Sequence, residues 1–240
     1  MPCLDLIIPL GVGSKFCNDE LRLCLRSAEL HAVGLQRVVI VTQAELDWLT
    51  NVTIIRRNDP LKKNKDGNMI DKVLLALNTL DIKGDFMLCQ DDNLFMQDVV
   101  LEDCPMIYNS RKRSDFNANG KRWHRRMVRT FDYLASRGIH YDYNYEVHAP
   151  QRFCADLIRE RIKSVDYRSD IGYGIYTLFR GISDEHGGET QSKFKTTHES
   201  IESVDAPLDR MFASYNDDAF NNGFRERLFS IFNTKSKYEK

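Results

Sequence analysis

The chain lacks every short signature that would assign it at a glance. In its 240 residues there is no apolar run of the roughly 18 residues that a membrane-crossing helix needs, so no helical span is expected. The six cysteines, at 3, 17, 24, 89, 104 and 154, contain no Cys-x-x-Cys spacing. Scattered thiols of this kind, some on expected core faces, read as reduced and packed rather than as a disulfide or zinc framework. The opening Met1-Pro-Cys-Leu-Asp-Leu-Ile-Ile-Pro-Leu10 has neither the basic flank nor the long apolar core of a signal peptide and reads as a buried strand. A cytoplasmic location is the expectation. Gly11-Val-Gly13 lacks the third glycine of a dinucleotide fingerprint, and no Walker sequence, internal repeat or heptad pattern is found. The balance of 42% hydrophobic and 29% charged residues is that of an ordinary globular protein. The length suits one domain spanning 1–240.

What is present is an alternation of strand and helix. Leu4 to Leu10 reads as a strand, followed by the flexible Gly11-Val-Gly-Ser14. Asn18-Asp19 opens a helix with Leu21, Cys24, Leu25 and Ala28 on its inner face. Arg37 to Thr42 and Val52 to Ile55 read as strands, Asn68 to Asn78 as a helix, and Phe86 to Cys89 as a further strand. Nearly all-apolar strands alternating with helices point to an α/β fold, a mostly parallel sheet flanked by helices.

The last of these strands runs into Asp91 and Asp92. Carboxylates at the carboxyl end of a parallel strand sit where ligands bind in open α/β sheets. A pair of them can seat a hard divalent cation and a phosphate ester. It can equally be an Asp-Asp turn after a core strand.

A resemblance separates the two readings. The block Asn18-Asp-Glu-Leu-Arg-Leu-Cys-Leu-Arg-Ser27, with Val38-Val-Ile-Val-Thr42, Trp48-Leu49 and Val52-Thr-Ile-Ile55, resembles the second block of the Stealth family. These are nucleotide-sugar-dependent sugar-1-phosphate transferases. That block closes on Asn-Asp-Asp, where this chain has Gln90-Asp91-Asp92. His148-Ala-Pro150 and Tyr167-Arg-Ser-Asp170 resemble parts of the third block. Tyr215-Asn-Asp-Asp218 and Thr234-Lys-Ser-Lys-Tyr-Glu239 resemble the last. The family's first block, ending in Trp-Val-Asp/Asn-Gly, is replaced by Ile8-Pro-Leu-Gly-Val-Gly-Ser14. A GT-A-like glycosyltransferase shares the βαβ core and likewise ends a strand in metal-binding carboxylates.

The resemblance implies a GT-A-like (Rossmann-like) transferase. Its donor is a nucleotide sugar, and the group it moves is a sugar or a sugar-1-phosphate. Asp91, Asp92 and Asp217 would hold Mg²⁺ or Mn²⁺, with Asp92 central to catalysis. Arg168 would bind phosphate through its planar fork, and His148, at the end of the strand-like Tyr143-Asn-Tyr-Glu-Val147, would act as general base. Asn68, Lys72 and Asp91 would contact the donor. Residues 1–105 would form the donor-binding core, 106–180 the acceptor side, and 181–240 a loop and a C-terminal helical segment. Each role has a plainer counterpart: a packed His148, an Arg168–Asp170 surface pair, an Asp217-Asp218 helix start, a solvated helix face at Asn68 and Lys72.

The basic charge concentrates between Arg111 and Arg137, where nine Lys/Arg face two Asp. In the expected helix, Lys121, Arg122, Arg125, Arg126 and Arg129 share one face, with Trp123, Met127, Phe131 and Leu134 on the other. This basic helical insertion reads as an outward cationic face for an anionic acceptor. DNA, including the hydroxymethylated bases that compact viral transferases decorate, a polyanionic glycan, a phosphorylated lipid and the donor diphosphate itself all fit. The contrasting reading is a noncatalytic nucleic-acid-binding module built on helix 121–137. Gly181 to Asp205 reads as a long exposed loop, and Arg210 to Phe232 as a return to helical periodicity.

Overall fold

The computed structural model describes residues 3–140, 143–190, 195–196 and 209–240. The first half contains β1 (Leu4–Pro9), α1 (Asp19–His31), β2 (Ala32–Val33), β3 (Leu35–Thr42), β4 (Thr53–Arg56), α2 (Lys65–Thr79) and β5 (Asp85–Leu88). Next come the short strands β6 (Asn93–Phe95), β7 (Val99–Val100) and β8 (Ile107–Tyr108), then α3 (Arg122–Ser136). The rest comprises β9 (Gln151–Cys154), α4 (Ala155–Arg161), α5 (Ile175–Ile182), β10 (Glu189–Thr190), β11 (Lys195–Thr196), β12 (Phe212–Tyr215), α6 (Asp217–Ala219), a π-helical turn (Phe220–Phe224) and α7 (Arg225–Ile231).

The central sheet has the order β4-β3-β1-β5-β9. Its first four strands are parallel, and β9 runs antiparallel to β5. The chain steps outward from β1 to β3 and β4, then returns through α2 to place β5 on the other side of β1. The gap between the loops after β1 and β5 is therefore the point where strand order reverses. In open α/β sheets that crevice is where ligands bind.

Burial explains why the strands read as unbroken apolar runs. Every residue of β1 is buried. Leu6, Ile8, Val38, Ile40 and Met87 pack on one face with Leu21, Cys24, Leu25 and Ala28 of α1. Ile7, Val39, Val41, Phe86 and Leu88 pack on the other with Ile70, Val73, Ala76 and Leu77 of α2 and with α4 and α5. Both faces are covered, as a parallel sheet requires.

Three departures from the sequence expectations matter. Tyr143 to Val147 is not a strand; it carries one bridge, Asn109–Asn144, and the sheet's edge strand is Gln151–Cys154 instead. The segment from Arg210 does not begin as helix. Phe212–Tyr215 is a fully buried strand pairing antiparallel with β6, Ser214 opposite Asn93, and helix starts only after Asn216. In the expected loop 181–205, α5 runs on to Ile182 and Glu189–Thr190 pairs with β8. Residues 191–194 and 197–208 lie outside the described residues.

The Thr234–Glu239 stretch serves the fold. Arg26 donates from Nε to Glu239 Oε1 (2.7 Å) and from Nη2 to Oε2 (2.9 Å), with both residues buried. Burial alone would raise the Glu239 carboxyl, but the Arg26 and Ser236 hydrogen bonds outweigh it and hold the pKa at about 2. A folded pKa depressed below the ordinary 4.5 stabilises the fold above that value and is lost as pH falls towards 2. Arg26→Ala should therefore lower unfolding stability by about 3–5 kcal/mol at pH 7, as expected for one partner of a buried pair. Urea unfolding checks this, and the deficit should shrink as the pH is lowered through 4 towards 2.

Candidate functional site

Asp91 and Asp92 occupy the centre of a four-residue turn that links β5 to β6. Asn93 closes it twice: its N–H donates to the Gln90 carbonyl (3.1 Å), and its Oδ1 accepts from the Gln90 N–H (3.1 Å). The expectation of a plain Asp-Asp turn is thus met in geometry, and the turn also presents its carboxylates at the switch point. Asn93 Nδ2 donates to Asp92 Oδ1 (3.0 Å), and Ser214 Oγ donates to Asp92 Oδ2 (3.1 Å). Each oxygen of Asp92 therefore has a neutral donor fixing its direction.

The antiparallel β6–β12 pair explains why Asp217 arrives here. Ser214 lies opposite Asn93, so the chain leaving β12 passes beside the turn. Asn216 then caps the following helix by accepting from the Ala219 N–H (2.9 Å), leaving Asp217 and Asp218 in its first turn. The result is a cavity of about 400 Å³ lined by Lys15, Glu20, Asp91, Asp92, Asp217 and Asp218 with Gln90, Tyr215, Asn216 and Phe220. Among the described residues, five carboxylates thus share a pocket with one cation, Lys15.

Electrostatics follow from that crowding. Burial, then the neighbouring Asp92 and Glu20, push the Asp91 carboxyl up to about 7. Tyr215 is 2% exposed, stacks on Phe220 at 4.6 Å, and its hydroxyl has no hydrogen-bond partner among the described residues. Burial, with Asp92, Glu20 and Asp91 nearby, raises that phenol well above its ordinary value. Behind the turn, the Cys24 and Cys89 thiols lie 3.7 Å apart and both contact the Gln90 carbonyl. Cys24 and Cys89 are not joined in a disulfide.

Other sequence candidates fall elsewhere. Arg168 bonds Asp71 Oδ1 at 2.8 Å, beside Tyr167 and Arg57, which bond the same carboxylate. It lines a separate cleft, not the acidic pocket. Asn68 pairs both its amide groups with the Leu61 backbone. Lys72 is 2% exposed, bonded to the Leu10 carbonyl and ion-paired with Asp59. All three are held by the framework. His148 precedes β9, whose Gln151 pairs with Leu88, so it lies at the same sheet edge as Asp91. Its φ of 54° is a backbone conformation that residues with a side chain adopt rarely.

The basic helix is not an open cationic face. Arg126 bonds Asp66 (2.7 Å) and the Ile171 carbonyl. Arg129 bonds Ser169 and Asp166 and lies over the Tyr173 ring. Of the five basic positions only Lys121 and Arg125 are exposed, while Arg122 is half-buried. Burying Met127, Phe131 and Leu134 rotates the neighbouring arginines onto loop 166–174, where acids and carbonyls await them.

Lys15, Glu20, Tyr215 and Phe220 are among the pocket residues to which sequence reasoning assigned no role. Lys15 follows the first strand and Glu20 stands in the first turn of α1, positions that the switch-point rule marks once strand order is known. Among the described residues, no group of three or more His, Cys, Asp or Glu side chains is gathered closely enough to hold a metal ion. The sequence matches no protein-family model and no curated protein.

A carboxyl raised to about 7 stabilises the fold below its unfolded pKa of 3.8, and that contribution is lost as pH rises through 7. Asp91→Asn should therefore be more thermostable than the parent at pH 8, an advantage that shrinks as pH falls below 7 and is lost only near 3.8. Melting curves across this range check it; a pH-independent difference would contradict the crowding of charge described here.

Proposed function

We propose that the chain is a divalent-cation-dependent transferase with a GT-A-like active site, acting on a nucleotide-sugar donor. The observation that carries this reading is the convergence of Asp91, Asp92, Glu20 and Asp217 on one pocket at the switch point of a parallel sheet. An all-oxygen donor set suits Mg²⁺ or Mn²⁺. Mg²⁺ is commonly bound by one or two carboxylates together with waters and substrate phosphates, so the absence of a three-residue cage among the described residues accords with it. The Tyr215 hydroxyl, without a partner among the described residues, is one further polar group for the occupant of this pocket. The resemblance of the 18–55, 90–92, 148–150 and 215–218 blocks to sugar-phosphate transferases supplies the donor class.

In this reading Asp92, oriented by Ser214 and Asn93, is the principal cation ligand, with Asp91 beside it and Asp217 at the rim. The bound cation would neutralise the donor diphosphate and the charge that grows on the departing nucleotide. His148, at the same sheet edge, takes the proton of the acceptor hydroxyl, a role that typically contributes about 10²–10⁴-fold in rate. Arg168, Asn68 and Lys72 maintain the frame. An anionic acceptor would meet Lys121 and Arg125. A noncatalytic nucleic-acid module is the poorer reading, since affinity of that kind needs several free cations, and Arg126 and Arg129 already have partners within the chain.

Nucleotide release from a panel of nucleotide sugars with Mn²⁺ tests the proposal. A nucleoside diphosphate product means sugar transfer, and a monophosphate means sugar-1-phosphate transfer. Asp92→Asn should lower the rate by about 10²-fold or more, the loss typical when a preorganised electrostatic group is removed. Unchanged release by that variant, or no release from any donor, would contradict the assignment.

A further inference from the structure

The loop between β1 and α1 ties two sides of the acidic pocket together through consecutive residues. Ser14 Oγ donates to Glu20 Oε2 (2.8 Å) and accepts from the backbone N–H groups of Phe16 and Asn18. Lys15 Nζ lies 2.7 Å from Asp217 Oδ2. Glu20 belongs to α1 and Asp217 to α6, so the two residues strap the loop across the pocket mouth. Nothing lies within 4 Å of where a side chain would start at Gly11 or Gly13, and Gly13 has a φ of +120°. The segment before the strap is therefore unpacked.

The two ties differ in kind. Ser14 is fixed by three hydrogen bonds, whereas the Lys15–Asp217 pair is exposed, at 70% and 57% for the two side chains. Exposed ion pairs are weak and readily exchanged, and a lysine carries its charge on a long flexible stem. A divalent cation is a stronger partner for Asp217 than one ammonium is. The carboxylate that gains the cation releases the lysine, and among the described residues Lys15 is the only cation lining the pocket. Inside, the buried Tyr215 hydroxyl has no partner among the described residues, which points to a polar occupant rather than to a merely solvated acidic surface.

We propose that Lys15 is the phosphate-binding residue of this pocket. It rests on Asp217 in this structure and transfers to a phosphate group of the ligand when a divalent cation takes that carboxylate. This rests on the reading of the pocket as a cation-and-phosphate site and adds to it the residue that meets the anion.

The test uses the full chain with Mn²⁺ alone and with inorganic pyrophosphate as probes, followed by calorimetry and the Mn²⁺ paramagnetic signal. Lys15→Met removes a competing cation, so Mn²⁺ should bind about two- to fivefold more tightly, the scale of an exposed ion pair. Pyrophosphate binding to the Mn²⁺-loaded protein should weaken about tenfold or more, the scale of a lost charged hydrogen bond, and Lys15→Arg should restore most of it. Asp217→Asn should strengthen pyrophosphate binding in the absence of Mn²⁺ by freeing the lysine. If Lys15→Met leaves both constants unchanged while the parent binds Mn²⁺, the role of Lys15 is wrong and the cation site stands. If the parent binds no Mn²⁺, both readings fall.

Discussion

Everything at the candidate site depends on one constraint of the sheet: β5 must pair with β1 on the side opposite β3. Ile7 opposite Leu88 fixes that register, and apolar burial on both faces leaves no alternative, because a slip of one residue would exchange every side chain between the two layers. The loops after β1 and β5 then lie at the carboxyl ends of adjacent strands and line one pocket. Lys15 enters it from one loop and Asp91 and Asp92 from the other. The β6–β12 pair, anchored at Asn93 opposite Ser214, adds Asp217 from a distant part of the chain. Secondary structure creates the pocket before any functional side chain is considered.

The pocket is then a place where folding and function conflict. Five carboxylates around one lysine repel one another, and burial beside Asp92 and Glu20 holds Asp91 partly protonated near neutral pH. A fold selected for stability alone would place apolar or paired groups there, as it does with Arg26 and Glu239. Natural proteins keep such local conflict chiefly where a ligand relieves it. The contrast with the Asp71 hub is informative. There Arg57, Tyr167 and Arg168 satisfy one carboxylate within the chain, which gives a stable junction with its charges already paired.

Much of the sheet was legible in the sequence because buried parallel strands have a plain signal. Val38 to Val41 and Phe86 to Leu88 are continuous apolar runs, and α1 and α2 show helical spacing between them. The pieces that escaped are short and defined by tertiary partners. Asn93–Phe95 pairs with Phe212–Tyr215, which pairs in turn with Lys195–Thr196, and the phenylalanines following Tyr215 mask that middle strand with helical periodicity. Arg126 and Arg129 looked like an outward cationic stripe because composition carries no record of Asp66 and Asp166, which come from other parts of the chain. Asp92 was found by position at a strand end. Glu20 and Tyr215 were not, since their place in the pocket follows from strand order and from the β6–β12 pairing, neither of which is local.

The central claim is that the switch-point pocket, and no other cleft, holds a divalent cation with a donor diphosphate. A crystal structure of the protein with Mn²⁺ and a nucleoside diphosphate tests it most directly, because the anomalous signal of manganese locates the ion without ambiguity. The account predicts one strong anomalous peak at about 2.0–2.3 Å from a carboxylate oxygen of Asp92, bridging to the diphosphate. Manganese elsewhere, or the diphosphate seated between Arg57 and Arg168 with the Asp92 turn unoccupied, would contradict it.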